Sequence, residues 1–541
     1  MAENTLYYGD NLHVLRQYIK DETVDLIYLD PPFNSNANYN VLFAERNGTQ
    51  AAAQIKAFSD TWTWDKSAAL TYQENVEKGG RVAQVLISFY GLLGTSNMMA
   101  YLAMMAPRLV ELHRVLKPTG SIYLHCDPTA SHYLKILMDA VFGAVNFKSE
   151  IIWKRSHGHN SAIGYGAIHD VLLFYSKSEA MTWNPVFHQY DSSYIDKHYR
   201  HLDASGRRYK HENPTGAGIS RGVTGQPWRG IDPTAKGRHW AKTPEEMDRL
   251  DSVGLIHWPQ KPGAWPYMIK YLDEGKGVPA QDIWVDLPVI NMMAKERLGY
   301  PTQKPEALLE RIITASCPKD GVVLDPFSGC GTAVVTAHKL GKQWIGIDIT
   351  HLAINLIKIR LSDAFGDTAK YKVIGEPTTV EDAQDLSEHD QYQFQWWALG
   401  LVGARPVDQK KGADKGIDGR LYFHDDNSGK TKQIVISVKA GHNVNVSFIR
   451  DLRGVIEREN VEIGVLITMQ EPTQPMRTEV ASSGFYVSPW GKHPRLQILT
   501  IAELLTGKKI DYPTAQGVNV TFERAPKVKT TKGKQQKLLL E

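Results

Sequence analysis

The sequence predicts an α/β protein built on a doubly wound parallel sheet, followed by a second and smaller α/β domain. Short apolar runs such as residues 23–29 and 171–175 alternate with stretches such as residues 98–116, whose apolar side chains recur at helical spacing. A glycine-rich turn at residues 329–331 separates another apolar run from a further helical stretch. Strand and helix patterns resume after residue 392, which predicts the second domain.

Length and composition are those of an ordinary globular protein. The 541 residues leave room for about two to four domains, and the apolar fraction of 42% and charged fraction of 22% exclude a disordered or fibrous chain. A net charge of +3 is too small to identify a polyanionic partner. The three cysteines fit no disulfide or zinc spacing, and neither a secretory leader nor a bilayer-length apolar run is found. We therefore expect a cytoplasmic protein that does not enter a membrane.

The chain opens with a strand pattern at residues 6–8 and a helix pattern at residues 12–19, with Asp10 and Asn11 between them. Either residue could cap the helix. An acid at the end of a strand could equally bind a ligand that lies across the sheet edge. The local sequence leaves both interpretations of Asp10 open.

The clearest chemical signal in the first half is the run Asp30-Pro31-Pro32-Phe33, which directly follows the apolar strand pattern. Proline fixes φ and offers no N–H group, so two prolines end the strand in a rigid corner. Open α/β sheets place their ligands at such carboxyl ends. Asp30 and the Pro31 carbonyl can accept hydrogen bonds from an exocyclic NH2 group, and Phe33 can stack on a flat heterocycle. A strand that merely ends in a turn is the alternative.

A nucleotide-type cradle is predicted around residue 330. The strand pattern at residues 321–325 leads into Asp325-Pro-Phe327-Ser-Gly329-Cys-Gly331-Thr332, and a helix pattern follows. Glycines at such a turn let the backbone approach a ligand bound at the helix N-terminus. Asp348 ends the next strand pattern, where an acid can bind ribose hydroxyl groups.

These motifs together resemble those of the DNA amino-methyltransferases, which methylate the N6 of adenine or the N4 of cytosine. The Asp-Pro-Pro-Phe run resembles their catalytic signature, the glycine-rich loop resembles their S-adenosylmethionine loop, and Thr302-Gln-Lys304-Pro resembles the element that holds the methionine end of that cofactor. The catalytic motif precedes the cofactor motif, as in the β group, which includes the modification subunits of type III restriction systems. The resemblance covers roughly residues 4–365 and implies a Rossmann-like fold with S-adenosylmethionine as cofactor.

The resemblance implies a role for each matching residue. The expected catalytic residues are Asp30, Pro31, Pro32 and Phe33. The expected cofactor-binding residues are Asp10, Thr302, Lys304, Asp325, Phe327, Gly329, Gly331, Thr332 and Asp348.

Residues 181–285 interrupt the α/β pattern with basic side chains interleaved with Trp, Tyr and His. This mixture suits contacts to phosphates and base edges, although a solvated charged surface is the usual explanation of such a run. The resemblance favours the first interpretation, because the family inserts its target-recognition region at this place.

The C-terminal region resembles the restriction-endonuclease-like fold, and more closely its Mrr-like branch. Asp418 precedes a strand pattern, and Ser437 and Lys439 share one face of the next strand. An acid and a lysine so placed could hold Mg²⁺ and activate a water for phosphodiester attack. Ser437 stands where the family has Glu or Gln, and Gln395 stands where its first helix often has Glu. Serine is a poor magnesium ligand, so the fold is expected and cleavage stays open.

We therefore predict a DNA methyltransferase that acts on double-stranded DNA, with N6 of adenine favoured over N4 of cytosine, in a restriction-modification or phage-defence system. Alternatives are a bifunctional methyltransferase-endonuclease, a methyltransferase whose C-terminal domain only binds DNA or a partner, an RNA or protein-glutamine methyltransferase, and a DNA-binding scaffold without activity. Restriction or helicase subunits and a second copy of the chain are the expected partners. The predicted segments are a catalytic half at 1–180, a target-recognition insertion at 181–285, a cofactor-binding half at 286–375, a linker at 376–392, a nuclease-like domain at 393–510 and a basic tail at 511–541.

Overall fold

A computed structural model gives the architecture of the chain. It describes all residues except 1–2, 33–37, 43–53, 60–62, 157, 159–163, 262, 291–293, 295, 299–301, 408–415, 426–430, 442, 514–520 and 522–541, and only the backbone of 38–42 and 54–59. Phe33 and nearly all of the predicted basic tail thus lie outside the described residues. The chain divides into two compact units, one of residues 185–281 and one that contains the described residues on either side of it.

The first part of the chain alternates strands and helices, as the sequence predicts. Its elements are β1 (Thr5–Tyr8), α1 (Asn11–Tyr18), β2 (Val24–Leu29), β3 (Asn38–Leu42), β4 (Gln54–Ser59), α2 (Lys66–Glu77), α3 (Gly80–Leu93), α4 (Asn97–Val115), β5 (Leu116–Cys126), α5 (Pro128–Phe142), β6 (Phe147–Lys154) and β7 (His169–Ser176).

Residues 185–281 form a separate unit of short elements around a small tryptophan core. Trp228, Trp240, Met247 and Ile256 are its buried apolar side chains. Its elements are β8 (Phe187–His188), α6 (Ser192–His198), β9 (His201–Leu202), β10 (Arg208–Glu212), β11 (Thr215–Ala217), β12 (Arg238–Trp240), α7 (Pro244–Ser252), β13 (Ile256–His257), β14 (Tyr267–Tyr271) and β15 (Val278–Pro279).

The chain then returns to the first unit and completes its sheet. The elements of this part are β16 (Ile283–Trp284), α8 (Glu306–Ser316), β17 (Val322–Asp325), α9 (Thr332–Lys339), β18 (Gln343–Asp348), α10 (His351–Phe365) and β19 (Lys372–Ile374). The strands of the central sheet lie in the order β16-β6-β7-β5-β2-β17-β18-β1-β19. Strands β1 and β2, neighbours in sequence, are therefore separated in the sheet by β17 and β18, which come some 300 residues later.

The sheet is covered on both faces, which explains why β2 is buried along its whole length. Side chains of α1, α4 and α5 share one core cluster with Ile27 and Leu29 of β2. Side chains of α8, α9 and α10 share another with Leu26 and Tyr28. Because successive side chains of a strand point to opposite faces, this division shows that the helices lie on the two sides of the sheet.

The prediction of a wholly parallel sheet is wrong at β7. This strand runs antiparallel to both of its neighbours, β5 and β6. A parallel connection needs a crossover long enough to return the chain to the same edge, usually through a helix. No helix is described between β6 and β7, and the chain simply reverses direction there.

The C-terminal domain has its own mixed sheet, in the order β20-β21-β22-β23-β26. The strands β22, β23 and β26 are parallel, whereas β20 and β21 are antiparallel additions. The elements are α11 (Val380–His389), α12 (Gln391–Leu401), β20 (Arg405–Pro406), β21 (Gly419–Phe423), β22 (Lys432–Lys439), α13 (Ser447–Glu459), β23 (Ile463–Thr468), α14 (Gln474–Ser482), β24 (Phe485–Ser488), β25 (Gly491–Pro494), β26 (Leu496–Thr500) and α15 (Ile501–Leu505).

The segment predicted as a linker, residues 376–392, contains the helix α11. Thr379 and Asp382 form a reciprocal capping box at its start. Ala383 is fully buried in the core of the C-terminal domain, and Val380 and Leu386 pack against that core. The apolar side of α11 consists of only these three residues, and the rest of the helix is largely acidic or polar. The apolar periodicity was therefore too weak to predict a helix from the sequence.

Within the larger unit, the C-terminal domain is joined to the domain of the central sheet through α12 and α10. The backbone N–H of His351 donates to the side-chain oxygen of Gln393 at 3.0 Å, and the amide of Asn355 donates to the Trp396 carbonyl at 3.2 Å. Within the described part of the chain, no helix is both long and apolar enough to cross a membrane.

We expect the substitution Ala383→Asp to loosen the connection between the two domains, because it places a charge at a fully buried position of α11. Limited proteolysis of the wild-type protein should spare residues 376–392, whereas the variant should be cut there. The matched control, Asp385→Lys, changes the charge at an exposed position of the same helix and should resist the protease. Rapid cleavage of the wild-type protein in this segment would contradict the helix assignment.

Candidate active site

A cavity lies at the carboxyl ends of β1, β2, β17 and β18. These strands are neighbours and parallel, so their carboxyl ends meet there. The cavity encloses about 220 Å³. The predicted site residues that line it are Asp10, Asp30, Pro31, Pro32, Thr302, Lys304, Asp325, Phe327, Gly329, Thr332 and Asp348. Residues up to 338 positions apart in sequence therefore share one cavity, as between Asp10 and Asp348.

Asp30 forms an ion pair with Lys304 inside this cavity. The ammonium nitrogen of Lys304 lies 2.9 and 2.7 Å from the two carboxylate oxygens. Both side chains are mostly buried, with 17% of Asp30 and 11% of Lys304 exposed. Lys304 was predicted to hold the cofactor, and its contact with Asp30, the carboxylate predicted to be catalytic, is an interaction that its motif did not reveal.

Asp348 organises the glycine-rich loop. Its Oδ2 accepts the N–H of Gly329 at 2.8 Å, and its Oδ1 accepts the N–H and the hydroxyl of Thr350, each at 2.9 Å. Burial outweighs these hydrogen bonds and raises the pKa of Asp348 above its ordinary value. The acid thus positions the loop as well as lining the cavity.

Gly331 does not line the cavity but shapes the loop from behind. Its φ of +75° is left-handed, and a β-carbon there would lie 2.6 Å from Cγ1 of Ile357 in α10. Arg360, also in α10 and almost fully buried, donates to the Cys330 carbonyl at 2.7 Å and to Glu306 of α8 at 3.3 Å. The backbone conformation of the loop is therefore fixed by α10, which packs against it.

Asp325 is the most deeply buried acid of the cavity. Burial raises its pKa well above the ordinary value, the N–H of Phe327 lowers it through a hydrogen bond of 3.1 Å to Oδ1, and the carboxylates of Asp30 and Asp348 raise it further. The charge of Lys304 lowers the pKa but does not reverse the shift, and in the described part of the chain no lysine or arginine forms an ion pair with Asp325. The ionised form of Asp325 is therefore poorly stabilised by the chain itself.

Asp10 both caps a helix and faces the cavity, so the two interpretations that its sequence left open are compatible. Its Oδ1 accepts the N–H groups of Leu12 and His13 at the start of α1. Its Oδ2 accepts from Arg108 at 2.6 Å, and Arg108 also donates to the Asn11 side chain at 2.6 Å. Burial lowers the pKa of Arg108, although the charge of Asp10 opposes that shift.

Sequence reasoning missed Arg108 and Arg360, which support the site from within the helices α4 and α10. Arg108 lies four residues from both Met104 and Leu112, which are buried, and Arg360 lies four residues from the buried Leu356. A charged residue on the apolar stripe of a helix was the available signal, because such a charge requires a buried partner.

A second missed group adjoins the cavity. Tyr28, which lines it, His125 and Asp170 form a chain of hydrogen bonds among side chains that are at most 2% exposed. No motif marks these residues, because they stand on three different strands.

In the C-terminal domain, the predicted nuclease residues do not form a metal site. Oδ2 of Asp418 accepts the hydroxyl of Ser437 at 3.1 Å and the N–H of Val438 at 2.7 Å, and Oδ1 accepts the amide of Gln395 at 3.0 Å. The Lys439 ammonium lies over the Phe448 ring, 5.8 Å from its centroid. Among the described residues, no three His, Cys, Asp or Glu side chains are arranged to hold a metal ion.

This donor set does not fit Mg²⁺, which prefers carboxylate and carbonyl oxygens. Gln395 and Ser437 instead turn hydrogen-bond donors toward Asp418, and so supply the partial positive charge that a metal would supply. The expectation of a magnesium site at Asp418, Ser437 and Lys439 is therefore not supported by the geometry.

Two family models match this chain. The one described as DNA methylase matches residues 24–358, and the one described as NACHT-associated inactive Restriction Endonuclease 1 matches residues 391–506. The first spans the catalytic signature, the inserted unit and the glycine-rich loop. The second spans α12, Asp418 and β22, where the described residues contain no cluster of three His, Cys, Asp or Glu side chains that could hold a metal ion.

Curated relatives match the same region. Type II methyltransferase M.EcaI of Enterobacter cloacae is 32% identical over 264 residues, 49% of this chain and 58% of that protein. The StyLTI Mod subunit, a type III restriction-modification enzyme of Salmonella typhimurium, is 28% identical over 360 residues, 62% of this chain and 49% of that protein. The chain thus spans about half the length of these two relatives.

DNA adenine methyltransferase YhdJ of Escherichia coli is 25% identical over 362 residues, 66% of this chain and 83% of that protein. Among solved structures, a DNA modification methylase of Thermus thermophilus complexed with S-adenosyl-L-methionine matches 70% of this chain and all of its own, with 14% identity and a TM-score of 0.34. That score is too low for a comparison of the two sites.

We expect the substitution Asp325→Asn to stabilise the protein at neutral pH when no cofactor is present. The folded protein holds the proton of Asp325 more tightly than the unfolded chain, whose aspartates titrate near about pH 4. Stability is therefore lost as the pH rises from that value toward the folded pKa, and the variant avoids this loss. The melting temperature of the variant should exceed that of the wild type by at least about 2 °C at neutral pH, and this difference should vanish below about pH 4.

The control for this experiment is Asp320→Asn, at an exposed position five residues earlier, which should unfold like the wild type at each pH. A variant at Asp325 that is less stable at neutral pH, by an amount independent of pH, would contradict the charge state assigned to the cavity.

We expect millimolar Mg²⁺ and EDTA to leave the melting temperature of the wild-type C-terminal domain unchanged. Ser437→Ala should cost about 1 kcal/mol, because one buried hydrogen bond to Asp418 is lost. Ser437→Glu should cost more, since it puts a second carboxylate beside the buried Asp418, and Mg²⁺ should restore part of that loss. Stabilisation of the wild type by Mg²⁺ would show that the site does bind the metal.

Proposed function

This chain belongs to the DNA methylase family, and on that premise we propose that it transfers a methyl group from S-adenosylmethionine to the N6 of an adenine flipped out of duplex DNA. One observation carries the proposal. A single cavity at the carboxyl ends of four parallel strands holds both the Asp30 corner and the glycine-rich loop. A methyl donor and a methyl acceptor could therefore meet within it.

The charges of the cavity support a cationic ligand. Its carboxylates are Asp10, Asp30, Asp325 and Asp348, and its cations are Arg108 and Lys304. Asp10 and Asp30 are paired with these cations, whereas Asp325 and Asp348 depend on N–H and hydroxyl donors. A sulfonium group and an ammonium group are what two buried, poorly stabilised carboxylates would favour. S-adenosylmethionine carries both.

The residues that line the cavity suggest how the cofactor would be held. Asp348 lies at the strand end where ribose hydroxyls are bound in such folds, and the loop at Phe327 and Gly329 offers the close backbone approach. Thr302 and Lys304 would face the methionine end, and Asp10 would lie at the opposite side of the loop. When bound, the cofactor supplies an electrophilic methyl group on a sulfonium.

Asp30 and the Pro31 carbonyl would then orient the exocyclic amine for direct attack. Each carboxylate oxygen has two lone-pair directions, so Asp30 can accept an N–H from the base while it keeps the ion pair with Lys304. The carboxylate stabilises the positive charge that develops on the amine, and its fixed position removes the cost of orientation. The role of Phe33 as a stacking partner stays a prediction, because this residue lies outside the described ones.

Adenine is favoured by the Asp-Pro-Pro-Phe run, since cytosine N4 enzymes more often begin this signature with Ser, and by the likeness to an enzyme named as a DNA adenine methyltransferase. Cytosine N4 is the alternative, because both bases present the same NH2 geometry. Flipping would be required in either case, since the target nitrogen is paired inside the duplex.

We infer that the protein acts in a restriction-modification system. The likeness to a type III Mod subunit suggests restriction or helicase subunits as partners, and a second copy of the chain stays a further prediction. Residues 185–281, a separate unit with basic and aromatic side chains, would recognise the DNA sequence. The C-terminal domain would bind DNA or a partner without cutting, and its assignment to the Mrr-like branch stays a prediction.

We expect the substitution Asp30→Asn to reduce methyl transfer by at least about 100-fold, because it removes the charge that stabilises the reacting amine while keeping the shape of the side chain. Cofactor affinity should change by less than about threefold, since Asp30 faces the acceptor. The measurement uses labelled S-adenosylmethionine and unmethylated plasmid, with analysis of the modified nucleosides, and calorimetry for cofactor binding.

The matched control is Asp127→Asn. Asp127 also precedes a proline at the carboxyl end of a strand adjacent to β2, but it caps α5 and is not among the cavity-lining residues. Its variant should transfer methyl groups like the wild type. Full activity of the Asp30 variant, or loss of both transfer and cofactor binding, would reject the assignment of Asp30. Label in cytosine would replace the adenine proposal by its alternative.

A further inference from the structure

Three buried polar side chains form a row that starts at the cavity and crosses adjacent strands of the sheet. None of them belongs to the Asp-Pro-Pro-Phe run or to the glycine-rich loop. Tyr28, His125 and Asp170 stand on the neighbouring strands β2, β5 and β7. The hydroxyl of Tyr28 lies 2.8 Å from Nδ1 of His125, and Nε2 of His125 lies 3.1 Å from Oδ2 of Asp170. Burying three such groups is costly unless they bond to one another, as they do here.

This row begins at the reacting centre. Tyr28 lies in β2, and Asp30 follows directly after the end of that strand. Both line the cavity, together with the loop at Asp325 and Cys330. Tyr28 therefore shares the cavity with the residue assigned to the methyl acceptor and the loop assigned to the methyl donor, and it is close enough to Asp30 and Asp325 for their charges to raise its pKa.

The carboxylate of Asp170 sets the direction of the hydrogen bonds. Burial would raise the pKa of Asp170, but the hydrogen bond and the charge of His125, together with the nearby charges of Lys304 and Arg155, outweigh it and leave the pKa below its ordinary value. An ionised carboxylate can only accept, so Nε2 of His125 must carry a hydrogen. If the imidazole is neutral, Nδ1 is then bare and would accept the O–H of Tyr28.

Tyr28 keeps its proton in this arrangement. Burial, followed by the charges of Asp30, Asp325 and Asp170, raises its pKa well above the ordinary value. Because the only hydrogen of the hydroxyl is donated to His125, the phenol oxygen has its lone pairs left for the cavity. It can act there as a neutral acceptor and cannot donate.

We propose that Asp170 and His125 are positioning residues that fix Tyr28 as a hydrogen-bond acceptor facing the methyl group in transit. The oxygen of Tyr28 would contact the positively polarised sulfonium methyl, which lies between donor and acceptor in the transfer step. A neutral oxygen adds attraction at this point without adding a further carboxylate to a cavity that already contains four. This inference rests on the proposed methyl transfer and extends it to residues outside the motifs.

The decisive variant is Asp170→Asn, which should reverse the direction of the hydrogen bonds that join Tyr28, His125 and residue 170. Arg155 lies 3.3 Å from Oδ1 of Asp170, so the amide oxygen of the variant should turn to Arg155 and its NH2 group to His125. His125 would then carry its hydrogen on Nδ1 and donate to Tyr28, whose own O–H would point into the cavity. The folded structure has no other need to change.

The tautomer can be measured without any cofactor. In protein labelled with ¹⁵N-histidine, the His125 signals should report hydrogen on Nε2 in the wild type and on Nδ1 in the Asp170→Asn variant, with assignment by their loss in His125→Gln. Methyl transfer by the Asp170 variant should fall at least about tenfold in kcat, with the cofactor dissociation constant changed less than about threefold.

Variants of His125 and Tyr28 distinguish a role in positioning from a role in packing. His125→Gln can donate to Asp170 and accept from Tyr28, so it should keep kcat within about tenfold, whereas His125→Leu should lose more. Tyr28→Phe should lower kcat at least about tenfold. Its matched control is Tyr123→Phe, directly across on β5, which removes an equally buried hydrogen bond of 2.7 Å to Ser316 and should leave kcat near normal.

The outcomes distinguish the inference from the function on which it rests. A doubly protonated His125 in the wild type, an unchanged tautomer in the Asp170 variant, or equal losses in the two tyrosine variants would overturn the positioning role. A wild-type protein that methylates no DNA would instead reject the proposed function itself. Reversal of the tautomer together with loss of kcat would support both.

Discussion

The clustering of four carboxylates with only two cations in one cavity is the constraint on which the domain of the central sheet depends. Asp10 and Asp30 are neutralised by Arg108 and Lys304, and these pairs fix the entry of α1 and the corner after β2. Asp325 and Asp348 are left with backbone and hydroxyl donors, and burial holds the pKa of each above its ordinary value. The free protein therefore keeps an electrostatic cost that a cationic ligand would remove, and the glycine-rich loop derives its shape from one of the same acids.

Buried acids are stabilised differently in the two domains. In the domain of the central sheet, the residues of the chain balance the negative charge of the cavity incompletely. In the C-terminal domain, Asp418 is fully engaged by donors from Gln395, Ser437 and Val438. A glutamate at the position of Gln395 or Ser437 would repel the Asp418 carboxylate, whereas the amide and the hydroxyl that stand there donate hydrogen bonds to it. A fold suited to a metal ion is therefore stable without one. The likeness to a family described as inactive agrees with this geometry.

Support for the cavity comes from residues that no motif contains. Arg360 ties the loop to α8 from within a buried helix face, and Arg108 joins α4 to the end of β1. The chain from Tyr28 to Asp170 adds a third support across three strands. Each couples elements that are distant in sequence, so the cavity is a product of the whole first unit and depends on the packing of its helices.

The sequence by itself determined the local features: the strand that ends at Asp30, the glycine turn before α9, the helices α4 and α5, and the identity of the acids that line the cavity. These follow from residue types a few positions apart, because proline, glycine and apolar periodicity act on the nearby backbone. The tertiary structure alone decided the direction of β7, the helix α11, and the partners of the acids. Lys304 meets Asp30 across 274 residues and Arg108 meets Asp10 across 98, since strand order brings them together. A charge in a sequence requires a partner if it is buried, but only the fold determines which residue that partner is.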